Sequence, residues 1–305
     1  MAETGDEHSA FQRPMGSLGR LQNEVMNKAI VFTCLTSLTA LTFNVAAQDG
    51  PPQRVLPLWE IGVGGFTGSQ QAYPGADQQT TRTLVLPYAI YRGRVLRSDS
   101  GSVGLRALRT PRFEFDLGLA GSLGSNSSRI DARRGMADLG TLIEAGPRIR
   151  WALSDPAPTD GSGRWRLDLP LRAVFDISDG FANRGIAFEP RVTYETRLQG
   201  WGWSVSGGAI VGSRKLADTF YGVAPQFATA DRPAYTARSG LIAWRASTSV
   251  SRSIMPGLRG FATLRMDTVA GAANEDSPLV RQRNGWSAGL GLAYTFKTST
   301  RPAVD

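Results

Sequence analysis

The 305-residue sequence has one cysteine, Cys34, and one histidine, His8, and both precede Gln48. A chain processed near Gln48 would therefore contain no thiol and no imidazole. Catalysis by a cysteine nucleophile or a histidine general base is then excluded. Only oxygen sites for hard cations are left, and no loop has the Asp-x-Asp-x-Asp-Gly spacing of a calcium site. We expect no catalytic residue, no metal site and no cofactor, and hence a protein that is not an enzyme.

Long apolar runs and lysines are also scarce. After Gln48 no apolar run reaches the length of about 18 residues that a transmembrane helix needs, and the mean hydropathy is -0.19. Only 3 of the 34 basic residues are lysines, and the arginines recur singly beside Asp and Glu. Despite the net charge of +8, this spacing argues against nucleic-acid binding and indicates paired charges in strands. If the chain crosses a membrane, it must cross as strands.

Residues 26 to 47 have the pattern of a secretory signal peptide. Lys28 supplies a basic start, residues 29 to 41 are apolar, and small residues precede Gln48. We predict cleavage after Ala47 and export to the outer membrane of a Gram-negative cell; a lone membrane anchor is the alternative. Residues 1–25 are an N-terminal extension, untranslated if Met26 is the true start. We then expect a short periplasmic segment (48–57), a barrel (58–298) and a C-terminal tail (299–305).

Several segments alternate apolar and polar residues with a period of two, which predicts strands and excludes helices. In segment 164–177 the odd-numbered positions are apolar and most even-numbered positions are Arg or Asp, and segment 186–198 repeats the pattern with the parity reversed. One face could contact lipid and the other an aqueous interior. The predicted interior charge network, structural or pore-lining, consists of Glu144, Arg148, Arg150, Arg166, Asp168, Arg172, Glu189, Arg191, Glu195 and Arg197.

Runs of 12 to 14 residues exceed the usual strand length of about 5 or 6 residues, which favours a barrel over a soluble sandwich. We predict an all-β fold, a transmembrane antiparallel up-and-down β-barrel. Eleven candidate strands begin near Leu58, Thr83, Arg94, Arg112, Leu139, Arg164, Ile186, Trp201, Gly240, Arg259 and Trp286. Turn residues at 99–102 divide one candidate and give twelve, an even number as bacterial barrels require. Ten strands is the alternative.

Short blocks along the chain resemble the MipA/OmpV family of outer-membrane proteins. They include Tyr73-Pro-Gly-Ala-Asp77, Tyr91-Arg-Gly93, Tyr221-Gly-Val223, Thr236-Ala-Arg-Ser-Gly240, Asp276-Ser-Pro-Leu-Val280 and Tyr294-Thr-Phe296. The family-motif residues are Tyr73, Gly75, Asp77, Pro87, Tyr91, Gly93, Asp276, Ser277, Pro278 and Phe296. The blocks run from about residue 58 to 297, which is nearly all of the predicted mature chain.

The resemblance implies a scaffold that links a lytic transglycosylase to a peptidoglycan synthase at the inner side of the outer membrane. The expected partners are therefore outer-membrane lipid and these two enzymes, with no nucleic acid. Two alternatives stay open. The excess of arginine would suit a narrow pore for small anions, and the loop 213–239, with Phe220, Tyr221, Phe227 and Tyr235, would suit surface adhesion or ligand binding.

Overall fold

A computed structural model describes residues 56–93, 96–99, 102–156, 158 and 162–303. The predicted N-terminal extension, signal peptide and most of the short periplasmic segment lie outside the described residues. The strand segments are β1 (Trp59–Gln71), β2 (Gln79–Arg92), β3 (Leu96–Asp99), β4 (Ser102–Arg109), β5 (Phe113–Ser122), β6 (Leu142–Ala152), β7 (Arg164–Asp176), β8 (Ala182–Phe188), β9 (Arg191–Leu198), β10 (Trp201–Gly212), β11 (Gly240–Met255), β12 (Leu258–Thr268) and β13 (Asn284–Thr298). An α-helix, α1, covers Arg214–Tyr221.

The segments form one antiparallel sheet that closes on itself, because β13 pairs with β1 from Glu60 opposite Thr298 to Ser69 opposite Ala288. The segments β8 and β9 both lie between β7 and β10, so they are the two halves of one strand, interrupted at Glu189 and Pro190. The described sheet therefore has twelve strand positions. The barrel and its count of twelve are confirmed, and the alternative of ten is wrong.

The division of the third predicted strand is correct as well. Asp99 pairs with Ser102 across the turn between β3 and β4. The start of the second strand differs from the prediction, since β2 begins at Gln79 and not near Thr83. None of the helices in the described residues combines the length and the apolar character needed to cross a membrane.

The outer surface carries exposed apolar side chains between two levels of aromatic residues. At the end where the described chain begins and finishes, here called the terminal end, Trp151, Trp165 and Trp201 are exposed. Toward the opposite, or loop, end, Trp244 and Trp286 are exposed. Aromatic residues at two levels around an apolar band are typical of barrels that span a bilayer. The band between them marks the membrane-spanning part of the wall.

The interior is less uniformly charged than the alternating pattern predicts. Strand β13 turns Gly289 and Gly291 inward, and the rings of Phe66 and Phe261 stack over this strip with centroids 6.3 Å apart. A side chain at Gly62 would collide with the ring of Tyr88, whose hydroxyl bonds to the Thr295 hydroxyl at 2.5 Å. The wall at β1, β2 and β13 is thus lined by small, apolar and aromatic groups.

Candidate functional site

The loops at the loop end pack together into a lid, defined here as residues 72–78, 123–141, 213–239 and 269–283. Helix α1 lies in the third of these segments and buries Leu216, Ala217 and Tyr221. The lid and the adjoining strand ends contain the main cluster of buried apolar residues, including Ile130, Val223 and Leu279. Most apolar side chains of a membrane barrel face lipid. This cluster instead packs together like the core of a soluble protein. It gives the loops one packed arrangement.

Two tyrosines join three lid segments. Tyr73 donates from its hydroxyl to the Leu279 carbonyl at 2.7 Å, and Tyr221 donates to the Pro74 carbonyl at 3.0 Å. The Ser277 hydroxyl donates to the Tyr221 carbonyl at 2.8 Å. The two tyrosine rings meet edge to face at 6.4 Å. Burial raises the pKa of Tyr73 to about 12 and also raises the pKa of Tyr221, so both hydroxyls stay protonated donors at neutral pH.

Arg133 connects the second and third lid segments from inside the core. Only 4% of Arg133 is exposed. Its guanidinium donates to the carbonyls of Thr219, Phe220 and Ala137 and to the Ser127 hydroxyl, at 3.2 to 3.4 Å. It also lies 5.9 Å from the centre of the Tyr73 ring, within range of a cation–π contact. Burial lowers the pKa of Arg133.

A second buried arginine, Arg232, repeats the arrangement. It donates to the Phe227 carbonyl at 2.7 and 3.1 Å and to the carbonyls of Ala132 and Arg134, each at 3.0 Å. Buried guanidinium groups that bond several carbonyls fix the relative position of chain segments. No periodic pattern marks Arg133 or Arg232 in the sequence, and sequence reasoning missed both.

Gly75 shows why the first lid segment needs glycine. Its φ of +92° is strained for any residue with a side chain, and an added Cβ would approach the Val280 side chain to 3.3 Å. The Gly75 carbonyl also accepts bonds from the backbone N–H groups of Arg281 and Gln282, at 2.8 and 3.1 Å. The first and last lid segments are therefore joined through this carbonyl.

Six of the ten family-motif residues meet in the lid, although about 200 positions separate the two motifs that supply them. Tyr73, Gly75 and Ser277 are buried there, while Asp276 accepts from Tyr235 and from Arg238, each at 2.7 Å. The lid also contains Asp77 and Pro278. The other four lie elsewhere, at Pro87, Tyr91, Gly93 and Phe296. Of these, Tyr91 and Phe296 are exposed and Gly93 is buried.

Charged side chains fill the interior nearer the terminal end and form the lower network, which consists of Glu114, Asp116, Arg148, Arg150, Arg164, Arg166, Asp168 and Glu195. Arg148 holds Asp116 with two bonds of 2.9 and 2.7 Å. Arg166 contacts Asp168 at 3.0 Å and Glu195 at 3.1 Å. The predicted Arg191 lies opposite Asp168 in the strand register. The predicted Arg197 is exposed near the terminal end.

The upper network, nearer the lid, consists of Glu144, Arg172, Glu189, Arg245, Arg265 and Asp267. Arg172 contacts Glu144 at 3.0 Å and Glu189 at 3.6 Å. Asp267 accepts from Arg245 at 2.7 and 3.0 Å and lies 3.5 Å from Arg265. Three carboxylates face three guanidinium groups, so the formal charges of this network cancel.

A cavity of about 140 Å3 separates the lid from the upper network. Tyr73 and Phe220 of the lid line it from above, and Glu144, Arg245 and Asp267 line it from the wall. Groups of three or more acidic, histidine or cysteine residues that could hold a metal ion are absent from the described part of the chain. The arrangement can therefore hold charges in fixed pairs and close the mouth of the barrel.

A closed antiparallel barrel with an apolar band, aromatic borders and an ion-paired interior defines the class as a β-barrel of the outer-membrane type. The chain matches the family model described as MltA-interacting protein MipA over residues 61–296, and it belongs to that family. No curated protein matches the chain.

Three solved structures illustrate the likeness in fold. A NanC porin shares 8% identity, covering 76% of this chain and 98% of that one, with a TM-score of 0.38. OprB of Pseudomonas putida shares 9% identity, covering 78% of this chain and 94% of that one, with a TM-score of 0.32. The translocator domain of the autotransporter NalP from Neisseria meningitidis shares 11% identity, covering 90% of this chain and 95% of that one, with a TM-score of 0.35.

Proposed function

We propose that the protein is a non-enzymatic scaffold of the outer membrane, which binds a lytic transglycosylase and a peptidoglycan synthase at its terminal end. Export by a cleaved signal peptide would place that end in the periplasm. The observation that carries the proposal is the closed mouth of a barrel in the MltA-interacting protein family. The lid closes the loop end of the barrel and the interior charges are paired with one another. The terminal end is therefore the surface that we expect to bind partners.

Charge at the terminal end supports this proposal. Among the described side chains, the exposed basic residues there are Arg109, Arg112, Arg197, Arg252, Lys297 and Arg301. The exposed acidic residue described at the same end is Asp155. A surface with one predominant sign of charge attracts a partner of the opposite sign and orients its approach. The partner enzymes would accordingly present acidic surfaces to the barrel.

Reversing charge at the terminal end should weaken partner capture. In the triple variant Arg112→Glu, Lys297→Glu and Arg301→Glu, we expect pull-down of the transglycosylase from periplasmic extract to fall at least tenfold at low salt. A matched control reverses Arg129, Arg134 and Arg281 at the loop end and should retain capture. Equal capture by both variants, or no capture by the unmodified barrel, would contradict the scaffold proposal.

Conductance decides between the closed barrel and the narrow anion pore. We expect the protein to give no steady nanosiemens openings in planar bilayers, because the lid core and the paired charges fill the path. A variant with residues 214–238 replaced by a short Gly/Ser linker removes α1 and its buried side chains and should conduct. Steady anion-selective openings of the unmodified protein would establish the pore.

The aromatic residues of loop 213–239 do not form the exposed surface that an adhesion site would use. Tyr221 is 1% exposed, and Phe220, Phe227 and Tyr235 pack against the same buried cluster. The packing of these side chains weighs against the adhesion alternative. These side chains close the barrel from above.

A further inference from the structure

Beyond the β3–β4 hairpin, which joins β2 to β5 nearer the terminal end, the described residues include no strand between β2 and β5. The hairpin of β3 and β4 between them is short, and within the described residues β3 pairs with β2 at Tyr91 and Arg92. Among the described residues, the part of β2 from Gln79 to Pro87 has a strand partner only on its β1 side. Pro87 lacks a backbone N–H, which suits a strand with an open edge. This opening is here called the wall gap.

The wall gap lies at membrane depth. Val85 of β2 is opposite Gly65 of β1, which in turn is opposite Leu292 of β13. Leu292 stands between Trp286 and Tyr294, within the exposed apolar band. An open strand edge is unfavourable where only hydrocarbon surrounds it. An acyl chain supplies no hydrogen bond to this edge, so the edge indicates only a lateral opening through which a molecule of the bilayer can reach the interior.

The interior surface beside the gap is apolar. Leu84 and Leu86 point inward from β2, on the same side as Arg82, while Val85 between them is 69% exposed on the outside. A recess of about 30 Å3 lies just inside, lined by Phe66, Leu84 and Leu123 among others. The larger apolar side chains of β2 thus face the interior, whereas those of β7 face outward.

Two arginines stand at the inner end of this recess. Arg82 bonds to the Gly124 carbonyl and bridges the top of the gap. Arg265 lines both the recess and the cavity under the lid. Its buried Nε makes no hydrogen bond, although it lies 3.5 Å from an Asp267 oxygen. A buried guanidinium N–H without a hydrogen bond favours an additional acceptor, and a carboxylate is its strongest partner.

We propose that the wall gap binds a long-chain carboxylate taken from the bilayer, with its head group at Arg265 and Arg82 and its chain along Leu84 and Leu86. Three separate features support this assignment: an open edge at membrane depth, an apolar lining beside it, and behind it a buried guanidinium Nε that makes no hydrogen bond. The recess is small, so it holds the head end while the chain extends through the gap. The packed lid excludes entry from the loop end.

Palmitate binding to the intact barrel in lipid nanodiscs, followed by native mass spectrometry, tests the head-group contact. We expect palmitate adducts on the unmodified protein and at least tenfold weaker binding by Arg265→Gln. Arg259→Gln, from the same interior face of β12, is the control and should bind normally. Hexadecanol has the same chain without the charge and should bind at least tenfold more weakly than palmitate. Equal binding of the two ligands, or an equal loss in both variants, would overturn the carboxylate assignment.

The route through the wall is tested by two substitutions on adjacent residues of β2. Leu84→Trp fills the recess and should abolish palmitate binding, whereas Val85→Trp adds the same ring on the lipid side and should leave it unchanged. A palmitate that carries a diazirine near its carboxylate, loaded into the nanodisc bilayer, should label residues beside Leu84 and Leu123. Labelling confined to outward-facing residues, or a dimer joined through β2 in place of a ligand adduct, would overturn the proposal.

Discussion

Replacing Arg133 by alanine should release the lid while the barrel stays closed. The change removes a buried guanidinium that donates to Thr219, Phe220 and Ala137, and it leaves their carbonyls in an apolar core. Each buried polar group that loses its partner costs about 1–3 kcal/mol. Since the wall makes its own hydrogen bonds, we expect local opening of the lid and not global unfolding. The visible result is rapid protease cleavage within 123–141 or 213–239.

The matched control is Arg134→Ala, one position further along the chain. The Arg134 side chain is exposed, with 72% of it accessible, and in the contacts described its guanidinium pairs with Asp131, whose side chain is 66% accessible. Exposed pairs of this kind contribute about 0–1 kcal/mol. Limited proteolysis in detergent should therefore leave Arg134→Ala as resistant as the unmodified protein. If both variants resist cleavage equally, Arg133 does not hold the lid together.

Replacing Asp168 by asparagine should destabilise the barrel itself. Only 3% of the Asp168 side chain is accessible, and it lies 3.0 Å from Arg166 and 3.7 Å from Arg150, with Arg191 opposite in the register. Asparagine keeps the shape but removes the charge that balances these guanidinium groups. Removing one partner of a buried ion pair costs about 3–5 kcal/mol. Reversible urea unfolding in lipid vesicles should show a loss of this size.

The control for this experiment is Asp155→Asn, at an exposed position near the terminal end. Its unfolding midpoint should stay within error of the unmodified protein. A second variant, Asp168→Leu combined with Arg166→Met, tests the cause. Replacing a buried pair by apolar groups is often far less costly than breaking it, so the double variant should be more stable than Asp168→Asn. A lower stability would contradict the charge-balance explanation.

Much of the wall could be predicted from the sequence, because lipid outside and paired charges inside impose a period of two on strands such as β7. The turn at Asp99 to Ser102 was also readable, since its residues favour turns. For strand β2 the sequence predicted its presence but not its orientation, because Leu84 and Leu86 alternate with Thr83, Val85 and Pro87, and no charged residue lies between Arg82 and Arg92. The period of two alone does not tell which face of this strand lies inside the barrel.

The packing of the lid could not be predicted from the sequence, for a different reason. Its contacts join residues such as Tyr73 and Leu279, which lie 206 positions apart, and loop segments have no repeating pattern that predicts a partner. The resemblance singled out Tyr73, Gly75 and Ser277 as family residues but did not bring them together. Buried arginines in loops, such as Arg133, are indistinguishable in sequence from solvated ones.

The bond from Tyr73 to Leu279 gives the lid a place in the order of assembly. One partner follows the first strand and the other precedes the last, so it is the pairing of β13 with β1 that holds the two loops side by side. The lid can therefore complete its core only on a finished cylinder. In the cell, a stalled intermediate would display its unpacked loops to proteases, and resistance of those loops would mark the molecules whose insertion has succeeded.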